Sequence, residues 1–381
     1  MKIVRYKEDD DIFFGKLEND DTIKRLGGNI FDEYYLTEKT VDKDQVEIIN
    51  PVDPPNILAV GLNYEKHVKE GAHGELPENP VLFLKATTSV IGHKDNIVLP
   101  AVAPDEVDYE AELAVVIGKT AKNIEPEEIS EYILGYTCGN DVSARDCQLR
   151  KDKQWARGKS FDTFCPLGPW IETSLDPNNC KIKSRLNGKV MQDSNTSDMI
   201  FKVEELVSYC SKNMTLLPGT VIMTGTPEGV GFAREPEVFL QPGDQIQIDI
   251  EGIGVLKNQI ISEDDFQKGS KIVKTWSKLF GTTQLTPHMF EKLSSYMEDG
   301  LEEELIVEVI KDCVINIKGN PNNYISSILN DLLNREIYTV EDYREQEEGG
   351  EFNEQVQKDN RTKKERTPEE ELQDLYKKGY R

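Results

Sequence analysis

Positive charge is scarce in this chain: 45 lysines and arginines face 70 aspartates and glutamates, leaving a formal charge of −25. A surface of that sign repels polyanions, so contact with nucleic acid requires a local basic patch. Long apolar runs are missing too. Stretches such as residues 56–62 and 113–118 fall far short of the roughly 20 residues that a membrane-spanning helix needs. The start, Met1-Lys2-Ile3 followed by acidic residues 8–11, lacks the basic-then-apolar order of a secretory signal, and a cytoplasmic location is expected. Six cysteines (Cys138, Cys147, Cys165, Cys180, Cys210 and Cys313) form no C-x-x-C pair. Their scatter argues against a zinc ribbon or a disulfide scaffold and predicts reduced thiols, mostly buried. Neither a G-x-S-x-G elbow nor an H-E-x-x-H motif occurs, which leaves a serine hydrolase and a zinc protease unsupported.

What is present suffices for a sizeable core, with 37% apolar residues in 381 positions, enough for two or three domains. Residues 1–55 alternate short apolar groups such as Ile12-Phe13-Phe14 with polar and glycine residues, predicting a small β-rich region that ends in the proline-rich linker 51–55. Over residues 56–262 apolar segments of four to seven residues are punctuated by Gly, Pro and Asn. Residues 57–60, 113–117 and 221–223 read as buried strands, residues 245–250 alternate with period two, and one helix is predicted at 203–212. This block resembles a β-rich roll more than a doubly wound sheet.

Farther on, the apolar positions Leu301, Leu305, Ile306, Val309, Tyr324, Ile325, Ile328, Leu329 and Leu332 recur at helical spacing, predicting a separate all-α domain over residues 275–345. Residues 346–381 are rich in Glu, Lys, Arg and Gln with few apolar side chains. Such a segment cannot bury enough surface to offset its ordering entropy, so a disordered tail is expected, with a short helix at 368–378.

The sharpest chemical signal is Asp108-Tyr109-Glu110-Ala111-Glu112-Leu113, leading into an apolar strand. Residues two apart on a strand point to one face, so Glu110 and Glu112 present paired carboxylates. A hard cation such as Mg²⁺ or Mn²⁺ relieves their repulsion and keeps waters that a substrate can displace. An exposed strand edge with both carboxylates in solvent is the alternative reading. Residues 139–146, Gly-Asn-Asp-Val-Ser-Ala-Arg-Asp, add Asp141 as a third carboxylate and Arg145 as a partner for an anion, though either suits an ordinary turn.

The segment Arg157-Gly158-Lys159-Ser160 superficially looks like a phosphate-binding loop, but Lys153 stands where that loop needs its first glycine. Lys159 is better read as a point charge that holds a carboxylate or polarises a carbonyl. His67 and Glu70, three apart, share one face of a helical turn and form a candidate acid/base dyad, or else a surface pair. Gly225 and Gly231 bracket a glycine-rich loop whose amides are positioned to approach an anionic ligand, unless it is a plain turn.

Taken in order, VGLNYEKHVKE, PVLFLK, DYEAELAVVIGK, GYTCGNDVSARD, GKSFDTFCPLGPW, SDMIF and MTGTPEGVG closely resemble the fumarylacetoacetate hydrolase family, over about residues 57–260. The resemblance implies a mixed β-roll fold, usually a homodimer, and Mg²⁺ or Mn²⁺ held by Glu110, Glu112 and Asp141. It implies a lid dyad of His67 and Glu70, a substrate-holding Lys159 and the T-G-T-P threonine at Thr226. Arg145, Gln148 and Thr226 form the expected substrate-binding set. The implied chemistry is hydrolysis, decarboxylation or isomerisation of 2-oxo or 2,4-dioxo acids such as acylpyruvates or oxaloacetate. In that scheme the metal acts as a Lewis acid toward the enolate and His67 with Glu70 activates water or moves a proton.

A second stretch, about residues 286–343, resembles the C-terminal helical domain of DnaD replication-initiation and phage proteins, with Leu332 where that family often has Trp. It implies single-stranded DNA or a replication protein as partner, with a helical appendage for assembly as the other reading. The charged tail lacks a dense basic run, offering only Lys363, Lys364 and Arg366.

Overall fold

A computed structural model describes residues 1–8, 11–19, 21–71, 75–267, 270–280, 287–316 and 321–348. The expected disordered tail, its helix at 368–378 and the basic cluster at 363–366 lie outside the described residues. The chain divides into two compact units, Met1–Glu263 and Asp264–Arg381.

The first unit is built on a mixed 12-stranded sheet. Its main path starts with Tyr34–Asp42, Thr22–Gly28, Asp11–Asn19 and Lys2–Glu8, crosses to Cys165–Glu172, Ile133–Asn140 and Ala111–Ile117, and ends with Val221–Met223, Ile57–Gly61 and Val81–Lys85. Val221–Met223 pairs with Ile57–Gly61 in parallel, whereas Ala111–Ile117 is antiparallel to both of its neighbours. A five-stranded sheet runs Lys189–Asn195, Lys181–Leu186, Gln245–Ile250, Gly254–Ser262 and Asn96–Leu99.

The strand Ala111–Ile117 is buried along its whole length, which explains its unbroken apolar run: both of its faces meet protein. Leu113, Val115 and Ile117 join one core with Ile182, Ile248 and Leu256. Ala114 and Val116 join another with Ile3, Ile57, Val221 and Met223. The period-two segment forms the strand Gln245–Ile250 with Ile246, Ile248 and Ile250 buried. The predicted helix is Val203–Asn213, and Leu206, Val207 and Cys210 supply its buried face.

In the N-terminal region the apolar residues are not all core. Ile12 is 51% exposed although it lies in a strand.

The second unit is helical, with Ser270–Phe280, Pro287–Glu298, Glu303–Asn316, Pro321–Asn334 and Val340–Glu348 among its elements. Leu305, Ile306, Val309, Ile325, Leu329 and Leu332 are buried in its core around Trp276 and Leu293, as their helical spacing predicts. Among the described residues no helix is long and apolar enough to cross a membrane. All six cysteines are buried free thiols.

Candidate active site

Register brings the acidic residues together. Ala111 lies opposite Asn140 and Glu112 opposite Gly139. Just beyond this ladder the Asp141 amide donates to the Glu110 carbonyl at 3.0 Å, while the Asn140 side-chain oxygen accepts from the Glu110 amide at 3.0 Å. Glu110, Glu112 and Asp141 are all buried, and each offers a carboxylate oxygen within 4.8 Å of those of the other two. Buried carboxylates this close require compensation, because no water screens them.

Cations supply part of it. Lys159 Nζ donates to Glu110 Oε2 at 2.9 Å and to Asp141 Oδ2 at 2.7 Å. Lys85 Nζ, on the last strand of the large sheet, reaches Asp141 Oδ1 at 2.5 Å and also the carbonyl of Lys159. Arg145 Nη1 lies 2.7 Å from Glu110 Oε1 and donates to Gln148 Oε1 at 2.8 Å. Its Nε donates to Asp108 Oδ2 at 2.9 Å. Nη2 is 2.8 Å from the same oxygen without the alignment of a hydrogen bond.

Burial alone pushes the Glu110 carboxyl up, but Lys159 and Arg145 more than reverse this and hold it well below the usual carboxylate range. Lys159 shows the converse: burial lowers its ammonium, and the Asp141 and Glu110 carboxylates outweigh that and raise it.

The compensation is incomplete. Lys85, Arg145 and Lys159 pair with Glu110, Asp141 and Asp108, and among the described residues no such ion pair is found for Glu112. Glu112 carries the consequence. Burial, and then the neighbouring Asp141 and Glu110 charges, push its carboxyl well above the ordinary range. A compact set of hard oxygen donors, one of which lacks a cationic partner of its own, suits a divalent hard cation, so the residues present fit Mg²⁺ or Mn²⁺.

His67 and Glu70 sit in the helix Glu65–Glu70, with His67 Nδ1 2.9 Å from Glu70 Oε1. Gly229 N donates to both Glu70 oxygens, at 3.0 and 2.8 Å. A carboxylate facing Nδ1 selects the tautomer protonated there and leaves Nε2 as the basic nitrogen.

The glycine-rich loop differs from expectation. Its amides turn to protein carboxylates: Gly225 N to Glu112 Oε2 at 2.9 Å, Gly229 N to Glu70, and Gly231 N to Asp108 Oδ1 at 2.7 Å. Thr226 Oγ1 donates to the Ala111 carbonyl at 2.9 Å and accepts from Gln192 Nε2 at 2.7 Å.

Several of these groups line one cleft of about 410 Å³, counting the open solvent at its mouth. His67, Glu110, Arg145, Gln148, Lys159 and Thr226 line its polar side, and Leu62, Phe83, Leu149, Trp155 and Phe232 line its apolar side. A family model described as fumarylacetoacetate (FAA) hydrolase C-terminal matches residues 56–261.

The chain belongs to the fumarylacetoacetate hydrolase family.

Among its relatives, the mitochondrial oxaloacetate tautomerase Fahd2a of Rattus norvegicus is 46% identical over 58% of this chain and 71% of that protein. A crystal structure titled 5-carboxymethyl-2-hydroxymuconate delta-isomerase, from Mycobacterium smegmatis, is 43% identical with a TM-score of 0.63, covering 69% of this chain and all of that one. Another, titled 2-hydroxyhepta-2,4-diene-1,7-dioate isomerase, from Mycobacterium marinum, is 38% identical with a TM-score of 0.62, covering 69% of this chain and 99% of that one. Two shorter matches flank the hydrolase-family block. Residues 1–51 match a model described as Rv2993c-like, N-terminal, and residues 273–347 match one described as replication initiation and membrane attachment.

Several residues in or around the cleft of this fumarylacetoacetate hydrolase family member are not marked by local sequence pattern. Lys85 and Asp108 stand inside quoted motifs, but nothing local marks the partners that they meet 56 and 37 positions away. Trp155 carried no signal at all. Its ring packs so closely over Gly61 that a methyl group there would lie 2.5 Å from it, a contact between residues far apart in the chain.

Proposed function

We propose that this chain is a divalent-metal enzyme acting on a small 2-oxo or 2,4-dioxo acid, as a hydrolase, decarboxylase or isomerase, with oxaloacetate and acylpyruvates as the first candidates. The observation that carries the reading is a buried trio of carboxylates, Glu110, Glu112 and Asp141, of which Glu110 lines the same cleft as His67, the partner of Glu70. The names of the relatives, a tautomerase of oxaloacetate and two isomerases of 2-hydroxy unsaturated acids, support the same chemistry.

Glu110, Glu112 and Asp141 would hold Mg²⁺ or Mn²⁺, which when bound supplies Lewis acidity toward the 2-oxo carboxylate. His67 takes or returns the proton at Nε2, and Glu70 fixes the ring by holding Nδ1. Lys159 uses two N–H groups on Glu110 and Asp141 and keeps a third for a substrate oxygen. Arg145 and Gln148 orient the anionic end. The Thr226 proton is given to Ala111, so toward a substrate this hydroxyl acts as an acceptor. Phe83, Trp155 and Phe232 exclude water from the reacting atoms.

Purified protein with Mn²⁺ should turn over oxaloacetate or an acylpyruvate. Absence of turnover on a panel of 2-oxo acids, together with absence of bound metal, sinks the reading.

The match at residues 273–347 favours a second reading, in which a DnaD-like helical domain over 275–345 binds single-stranded DNA or a replication protein and the block 56–262 serves as its scaffold. That reading predicts salt-sensitive binding of single-stranded DNA by the full chain, and no shift at low salt removes it. We further expect a homodimer, tested by light scattering. A cytoplasmic location fits the six free thiols.

A further inference from the structure

We infer that Asp108 is a positioning residue that aims Arg145 and, through the glycine-rich loop, steadies the His67–Glu70 pair; the inference rests on the enzymatic reading above. Asp108 is fully buried, a costly place for a carboxylate unless every lone pair is used. Here four N–H groups use them. Oδ1 accepts from Tyr109 N at 2.8 Å and Gly231 N at 2.7 Å; Oδ2 accepts from Phe232 N at 3.0 Å and Arg145 Nε at 2.9 Å.

One side chain therefore ties three things together. Arg145, held by its Nε edge, is left with Nη1 on Glu110 and Gln148, and its guanidinium carbon lies 4.4 Å from the centre of the Phe232 ring that roofs the cleft. The loop amides at 231 and 232 are pinned two and three residues beyond Gly229, whose amide holds both Glu70 oxygens. Close approach is a requirement. A β-carbon at Gly231 would lie 2.6 Å from Asp108 Oδ1 and 1.9 Å from the Val238 carbonyl.

Asp108→Asn separates this role from bulk, because it keeps the shape while replacing one acceptor oxygen with an NH₂ group. Whichever oxygen is lost, two of the four donors then face a donor. The experiment uses the full chain with Mn²⁺. Deuterium exchange in the peptide covering residues 225–234 should accelerate by about tenfold or more in D108N, while the strand 111–117 stays unchanged.

On oxaloacetate, D108N should raise KM by about tenfold, and its effect should not multiply with that of Arg145→Gln: D108N/R145Q should stay within about threefold of R145Q alone. Loop exchange within about twofold of wild type, or kinetic effects that multiply, overturns the proposal. Should D108N fail to fold, Asp108→Glu, which keeps the charge but lengthens the arm, must show the same pattern in smaller measure or the proposal falls. Wild-type protein that turns over no 2-oxo acid sinks the enzymatic reading alone, and the exchange arm still decides for or against Asp108 as the anchor of this loop.

Discussion

The Lys85 ammonium, with a fully buried side chain, lies 2.5 Å from Asp141 Oδ1, while Lys159 takes the other oxygen. Removing Lys85 leaves Asp141 with Lys159 as its remaining ion-pair partner, beside the Glu110 and Glu112 carboxylates. Lys85→Met should cost about 1–3 kcal/mol of stability by urea denaturation. Adding Asp141→Asn in the same chain should recover a large part of the loss, since the less compensated charge is then gone. Equal destabilisation in single and double variants would contradict the pairing.

The roles assigned to the acidic trio and to the dyad separate cleanly in a metal titration. Glu110→Ala and Asp141→Ala are expected to abolish both Mn²⁺ binding and turnover. His67→Ala should keep Mn²⁺ and lose about 10²–10⁴-fold in kcat, the usual range for a proton-transfer group. Electron paramagnetic resonance of free Mn²⁺ reads the first quantity directly, and equal metal loss in all three variants would undo the division of labour.

Gly61 gives a test of the cleft wall. A methyl group at this position would lie 2.5 Å from the Trp155 ring, which also packs edge-on against Phe83 at 5.7 Å. Gly61→Ala should swing Trp155 out, changing its fluorescence relative to a Trp155→Phe control, and raise KM several-fold, while Mn²⁺ affinity stays the same. Unchanged fluorescence would show that the wall accommodates the methyl without moving.

Acid sensitivity should come in part from His93. Burial, and then the nearby charges of Lys94, Lys257 and Lys43, lower its imidazole to about 4, and its Nδ1 accepts from the Lys257 amide at 3.2 Å. The unfolded chain takes up that proton near pH 6.5, before the folded one does. Stability is thus fully present above about pH 6.5 and falls as pH drops toward 4, by roughly 1–2 kcal/mol once partial exposure is allowed for. His93→Asn, which keeps an acceptor, should flatten the melting temperature over this interval. A variant as acid-sensitive as wild type would assign the effect elsewhere.

Local pattern revealed the elements that depend on local pattern. The run Leu113 to Ile117 reads as a strand because both of its faces are apolar, and Leu305, Ile306 and Val309 read as a helix because their spacing matches a turn. Glu110 and Glu112 share a face by period two; His67 and Glu70 share one by helical spacing. Partners chosen by tertiary pairing were out of reach. Lys85 meets Asp141 although three strands lie between Val81–Lys85 and Ile133–Asn140 along the sheet, and the glycine-rich loop finds Glu70, Asp108 and Glu112 only in the folded chain. Ile12 lies in a strand of the predicted β-rich region, yet the fold leaves its side chain exposed.

The strand Ala111–Ile117 feeds two separate cores with alternate residues. A slip of one position in its pairing would hand each core the residues meant for the other and turn Glu110 and Glu112 away from Asp141 in the same movement. Packing this strand in its native register therefore also aims its carboxylates, so a slip that lost the site would lose both cores with it.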